Sequence, residues 1–317
     1  MDNAITRNYP LRAHLSMLMA EVFWGIMSPI AKDAMQHGVS GIDMVSFRVL
    51  GGAVLFWIAS LFVKREHVPV RHIFLFGLAG VFGLTCNQCL FTIGLSITSP
   101  VNASIVTTSM PIFAMVLSLL ILKEPVTPKK LIGVMVGCCG AVILILSSAT
   151  ASSARVGNIR GDLMCLGAQF SFALYLALFS KLVRQYSVFT VNKWMFSWAT
   201  LLIWPFSFGS VQSMPWSSIS AATWTEVGYV VFFGTFVSYI LTMIGQQTLR
   251  PTVVGIYNYV QPIVAVTLSV ATGLCAFTPM QALAVVLVFS GVWMVIKSKS
   301  KRDMMRQNKQ NTTNVVG

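Results

Sequence analysis

The sequence predicts an all-α polytopic membrane protein, with ten transmembrane helices forming two inverted five-helix repeats. Three observations carry that expectation. Hydrophobic residues make up 56% of the 317 and charged residues only 10%, whereas a soluble domain carries about 25% charged residues. Second, Phe82–Ile145 matches Phe233–Ile296 without a gap, each residue pairing with the one 151 positions later. Of those 64 pairs 17 are identical, including Gly83/Gly234, Gly94/Gly245, Pro100/Pro251, Pro111/Pro262, Thr127-Pro128/Thr278-Pro279 and Gly140/Gly291. A repeat this long sets the architecture. Third, the excess positive charge (net +13) falls in alternate connections between apolar stretches.

A hydrocarbon core of roughly 30 Å needs about 20 apolar residues per helix, and ten windows qualify. Helix 1 runs near Leu11–Ala34 and is too long for a signal-peptide core, so it stays as the first span. Helix 2 (Met44–Val63) holds Arg48, the one base inside a span. Helices 3 (His72–Ile93) and 4 (Pro100–Leu122) are separated by the short polar break Ser96–Ser99, and helix 5 covers Lys130–Leu146. A Ser- and Ala-rich stretch, 148–159, reads as an external linker. Then come helices 6 (Gly161–Phe179), 7 (Val191–Phe208), 8 (Val227–Gln246), 9 (Thr252–Gly273) and 10 (Thr278–Ile296). The domains are therefore a first repeat (1–147), the linker, a second repeat (160–297) and a basic tail (298–317). Five spans per half is an odd number, so the second half enters the membrane from the opposite face.

The earlier parts of the halves match less well, but Ala20–Gly25 aligns with Ala168–Ala173, setting helix 1 against helix 6. Prolines inside spans free a backbone carbonyl and permit kinks, tolerated where the carbonyl faces protein or a wet cavity. Pro111 and Pro262, each near the middle of its span, are candidate hinges; inherited helix shape is the other reading.

With the N-terminus inside, the inner segments hold 18 Lys and Arg, the outer ones only Lys32, Arg155 and Arg160. That split is the positive-inside pattern for ten spans with both termini cytoplasmic, and it argues for topology and against a nucleic-acid partner. The tail could add anionic-lipid contact. Cys86 and Cys89 form a C-x-x-C with no second pair or histidine cluster, so packing is favoured over metal or redox use. No metal site and no cofactor are expected. There is no G-x-x-x-x-G-K-[ST], G-x-S-x-G or H-E-x-x-H.

These residues resemble the EamA-type family of the drug/metabolite transporter superfamily over roughly 14–297. The resemblance lies in two tandem five-helix units, Trp24-Gly25 in helix 1, Phe47-Arg48 in helix 2 and a proline centring helix 4. Leu122-Lys123-Glu124-Pro125-Val126-Thr127 and the glycines 133, 137 and 140 of helix 5 follow. The second copy keeps Gly161-Asp162 and Gln261-Pro262, with Cys275 opposite Glu124. The resemblance implies a central cavity formed by helices 1, 3, 4, 6, 8 and 9, and export of amino acids or similar small metabolites from a bacterial inner membrane.

Glu21 is the one acid well inside a span, about 15 Å from the start of helix 1. An intramembrane ionisable group is a functional candidate by default: it could bind a substrate amine or carry an exchanged proton. A structural, hydrogen-bonded carboxyl is the alternative, since its repeat partner is Gln169. Arg48 could attract an anionic group, pair with Glu21 or snorkel to the headgroups. Trp24, Asn87, Gln88, Gln169, Tyr175, Tyr239, Tyr257 and Gln261 complete the expected substrate-binding set, because polar anchors between aromatic walls suit an amphipathic ligand; many such groups only join helices.

The expectation is a secondary transporter, monomeric or weakly dimeric, with the bilayer, a small-molecule substrate and in one version protons as partners. Nucleotide-sugar or phosphorylated-metabolite exchange is an alternative that wants several cavity cations. A polytopic enzyme acting on lipids would need paired acids or histidines at one face. A passive channel would show a charged ring or carbonyl filter.

Overall fold

The computed structural model describes residues 5–122, 128–149, 157–249, 254, 257–258, 260–273 and 278–296. The expectations on Lys123, Glu124, Thr127, Arg155, Arg250, Pro251, Cys275 and the tail lie outside these residues. Among the described residues every regular element is helical: α1 (Ile5–Gln36), α2 (Gly41–Ser60), α3 (Val70–Ile97), α4 (Pro100–Thr107 and Met110–Leu122) and α5 (Pro128–Ala149). Next are α6 (Ile159–Val183), α7 (Val188–Ser213), α8 (Ala221–Thr248), α9 (Val260–Ala271) and α10 (Pro279–Ile296). Among the described residues, six stretches are long and apolar enough to cross a membrane: Leu11–Gln36, α2, α3, Pro100–Leu117, α6 and α8. The described residues thus form an all-helical structure with multiple apolar helices.

The helices start where short polar side chains can hold the first free N–H groups. Ser40 accepts from the Asp43 N–H while the Asp43 carboxylate accepts from the Ser40 N–H, a capping box that opens α2. Ser99 with Pro100 opens α4, Asn158 opens α6, Ser187 opens α7, Ser220 opens α8 and Thr278 opens α10. Each cap contributes about 1 kcal/mol. Because the capped turns are polar, the apolar windows stop several residues short of the true ends of α7 and α8.

Contacts sort the connections to two ends of the bundle. Ser40 lies 3.3 Å from Ser210, and Gly38 lies beside Ile219 and Pro215. At the other end, Glu66 accepts from the Ser187 N–H, and Arg184 donates to the carbonyls of Gln246 and Leu249. Lys32, expected in an outer connection, is instead buried in α1, where Nζ donates to the carbonyls of Leu95 (3.1 Å) and Ser96 (2.7 Å). A cation there suits the negative C-terminal end of α3.

The sequence repeat recurs in the packing. Gly94 of α3 abuts Gly161 and Cys165 of α6, and Gly245 of α8 abuts Ala13 and Met17 of α1. Gly83 meets Tyr175, and Gly234 meets Met27. The glycines are 151 positions apart and their partners 148 apart, so these glycine contacts of α3 with α6 have counterparts between α8 and α1. In the same way α1 packs on α9 and α6 on α4, while α2 lies against α7 and α5 against α10.

Two backbone irregularities follow the same register. Both α3 and α8 contain one π-helical turn, Val81–Cys86 and Phe232–Val237, again 151 residues apart. Such turns displace the side chains that follow them and recur at functional sites. Pro111 lies midway along α4, in the first turn after a break at Thr108–Ser109, and Pro262 is the third residue of the described α9 (Val260–Ala271). The proline ring clashes with the carbonyl four residues back, here Thr107, so the break precedes the proline. The hydroxyls of Thr107, Thr108 and Ser109 each donate to a carbonyl three residues earlier.

Candidate functional site

The π turns aim the side chains at their C-terminal ends inward. In α3 the next residues are Asn87 and Gln88; in α8 they are Ser238 and Tyr239. Asn87 Nδ2 donates to the Ala168 carbonyl of α6 at 2.9 Å, and Gln88 Nε2 donates to the Tyr239 hydroxyl at 3.2 Å. Gln88 and Tyr239 are themselves equivalent positions of the two halves, so their bond lies on the seam between them. In α8 the Thr235 and Ser238 hydroxyls donate to the carbonyls of Val230 and Phe233, five residues back.

Tyr239 of that seam lines a cavity with a volume of about 60 Å³, room for a few water molecules. Its walls are Trp24 and Met27 of α1, Arg48 of α2, and Asn87 and Phe91 of α3. Thr107 of α4, Gln169 and Phe172 of α6, Tyr239 of α8, Asn258 and Gln261 complete them. Two of the pairs are repeat-related: Trp24 with Phe172, and Thr107 with Asn258. Trp24 is fixed by donation from Nε1 to the Gly234 carbonyl at 2.9 Å and packs edge-on to Tyr239, the ring centres 5.9 Å apart. Arg48 is buried, donating from Nε to Thr235 Oγ1 and from a terminal nitrogen to Thr92 Oγ1, both at 3.0 Å.

Two smaller voids of about 10 Å³ each continue the line of this cavity toward the end of the bundle that carries Arg184. The first shares Phe172 and Tyr239 with the main cavity, and the second shares Tyr175 and Gln246 with the first. Phe172 and Tyr239 thus stand between the main cavity and the first void, and Tyr175 and Gln246 between the two voids.

Of the expected residues, Trp24, Asn87, Gln169, Tyr239 and Gln261 line the cavity, and Gln88 supports it from behind. Tyr175 lies one void further on, its hydroxyl 3.5 Å from Gln246 Oε1. Tyr257 is brought to the end of the bundle instead, hydrogen-bonded to His14. Glu21 is fully buried, does not line the cavity, and neither carboxyl oxygen has a partner among the described residues. The pairing of Glu21 with Arg48 weighed from the sequence does not form. Arg48 itself is buried on the cavity wall; its rarity as a base inside a span was the signal for this. Phe91, Phe172 and Met27 carried no signal, since apolar residues in apolar helices do not announce which face they occupy.

Comparison with known proteins gives a consistent picture. The model of the EamA-like transporter family matches residues 11–146 and again 159–297. The uncharacterized transporter YyaM of Bacillus subtilis (strain 168) is 23% identical over 280 residues, covering 86% of each chain. An uncharacterized transporter of Archaeoglobus fulgidus is 27% identical, covering 80% of this chain and 86% of its own length. A WAT1-related protein of Arabidopsis thaliana is 21% identical over 94% of this chain and 88% of the relative. One solved crystal structure shares the fold, with a TM-score of 0.63 at 18% identity, covering 89% of this chain and 96% of that one.

Proposed function

The chain belongs to the EamA-like transporter family, and from that premise we propose that it is a secondary transporter exporting amino acids or related small amphipathic metabolites. One observation carries the reading: the cavity lies between the two sequence repeats and takes Trp24/Phe172 and Thr107/Asn258 from equivalent positions of both. A site on such a seam can be opened by rocking one half against the other. In this reading α1–α10 each cross the bilayer, the halves are inverted, both termini are cytoplasmic and the membrane is a bacterial inner membrane. A volume of about 60 Å³ is too small for an amino acid, so the conformation is occluded and must expand to load. The break before Pro111 and the position of Pro262 in α9 are the hinges of that motion, and Tyr239 and Tyr175 are the side chains that part on the basic side.

Glu21 is the coupling candidate, since an unpaired buried carboxyl can take up and release a proton as its surroundings change. Counterflow of labelled amino acids in proteoliposomes, with and without a pH gradient, tests both ideas. Saturable flux that falls in Trp24→Ala supports the site; absence of flux for every amino acid and related amphiphile sinks it. If Glu21→Gln leaves rate and pH dependence intact, coupling runs elsewhere or transport is facilitated diffusion. Exchange of phosphorylated metabolites is disfavoured because Arg48 is the one cation lining the cavity among the described residues.

A further inference from the structure

We propose that Arg48 is the anchor for a carboxylate of the cargo, so that the cavity selects anionic or zwitterionic compounds over amines. The inference rests on the transport reading and adds the charge class that reading leaves open. A guanidinium is charged at any physiological pH and has five N–H donors. Here it is 4% exposed, and the acceptors bound to it, Thr92 and Thr235, are neutral hydroxyls. The Thr235 hydrogen is committed to the Val230 carbonyl at 3.0 Å, so its oxygen is turned toward Arg48 and holds the planar group in place. Hydroxyls satisfy donors but do not neutralise charge, and no carboxylate pairs with Arg48 among the described residues.

A buried charge without a counter-ion is costly, and Arg48 lies on the cavity wall, where an arriving anion would supply one. The planar fork suits a carboxylate in a two-bond geometry. On the same cavity wall, Trp24, Phe172 and Tyr239 offer aromatic surface for the body of such a molecule. No Asp or Glu lines the cavity among the described residues, so nothing there neutralises an ammonium group.

Three probes that share one ring and differ in charge make the test: phenylacetate, phenylacetamide and phenethylamine, followed by thermal shift of the purified full-length protein. The expected result is saturable stabilisation by phenylacetate and binding of the other two at least about tenfold weaker, the size of one lost hydrogen bond to a charged group. Arg48→Gln should weaken phenylacetate by about the same factor and erase the discrimination. Thr92→Val, which removes a hydrogen bond but no charge, should keep the preference. If Arg48 only ties α2 to α3 and α8, Arg48→Gln lowers the melting temperature and leaves relative probe affinities unchanged, which overturns the inference. Equal or tighter binding of phenethylamine, or no response to phenylacetate, also overturns it. If Arg48→Gln does not fold, the absence of any preference for acid over amide in the wild type still overturns the inference. In proteoliposomes, flux of the amine without the acid rejects the anchor and leaves transport standing. Binding of the acid with no flux of any probe supports the anchor and counts against transport.

Discussion

Asp162 and Arg48 are both charged side chains deep in the bundle, yet their surroundings differ in kind. Asp162, in the first turn of α6, accepts from Thr98 Oγ1 at 2.5 Å and from Asn102 Nδ2 at 3.0 Å. Asn102 accepts in turn from Gln281 at the start of α10. One carboxylate thus joins the end of α3 to the starts of α4, α6 and α10, and its position also suits the positive end of a helix. Asp162→Ala removes the acceptor of two buried donor groups and is expected to cost about 2–3 kcal/mol, read by thermal unfolding in detergent; an unchanged melting temperature would show that the network is dispensable. Arg48 is bound by two hydroxyls and no carboxylate among the described residues, the contrast on which its proposed role as an anchor rests. Both residues were visible in the sequence as charges within apolar stretches. What each one faces was not, because that depends on how helices far apart in the chain cross. The same limit explains Glu21: its depth in helix 1 was legible, but a turn of the helix separates facing the cavity from facing packed neighbours.

At the level of helices, glycine positions decide how close two elements come. A Cβ on Gly94 would stand 2.8 Å from the Gly161 carbonyl oxygen, a backbone atom with nowhere to go, whereas nothing lies within 4 Å of one on Gly209. Gly94→Ala is therefore expected to force α3 from α6 and destabilise by about 1–3 kcal/mol, while Gly209→Ala leaves stability unchanged or raises it. Equal effects in the two variants would mean that helix propensity, not contact, governs both. The connection between α2 and α3 offers a test by pH. Partial burial works to raise the Glu66 pKa, but hydrogen bonds from Thr190 and from the Ser187 backbone and hydroxyl, with Lys193 nearby, hold it below its usual range. A depressed folded-state pKa stabilises above the unfolded value near 4.5, and the contribution is lost as pH falls through the folded value. The melting-temperature gap between wild type and Glu66→Gln should be open at neutral pH, small because solvent screens the group, and closed below that range. A gap that persists in acid would assign the effect to something other than charge. The repeat that sets these helices was readable residue by residue, since punctuating glycines and prolines survive divergence. The π turns in α3 and α8 were not, because a shift from i→i−4 to i→i−5 bonding leaves no fixed residue signature.

For the molecule as a whole, the contacts already group the connections in a way that fixes what a topology experiment must find. His37 and Ser218 sit in connections at one end of the bundle, joined through Ser40–Ser210 and Gly38 beside Ile219. His67 and Gln185 sit at the other, near the bond between Glu66 and Ser187. All four are exposed. The second end also carries Lys64, Arg65, Lys181 and Arg184, and basic connections are retained in the cytoplasm. In a background with its cysteines replaced, His37→Cys and Ser218→Cys should react with an impermeant maleimide added outside intact cells. His67→Cys and Gln185→Cys should react only after the membrane is opened. Labelling of residues 37 and 67 from the same side would mean that α2 does not cross, and labelling of 185 and 218 from the same side would remove α7. Either result breaks the alternation that sets the second half opposite to the first, and with it the rocking of two halves about the Trp24–Phe172 cavity.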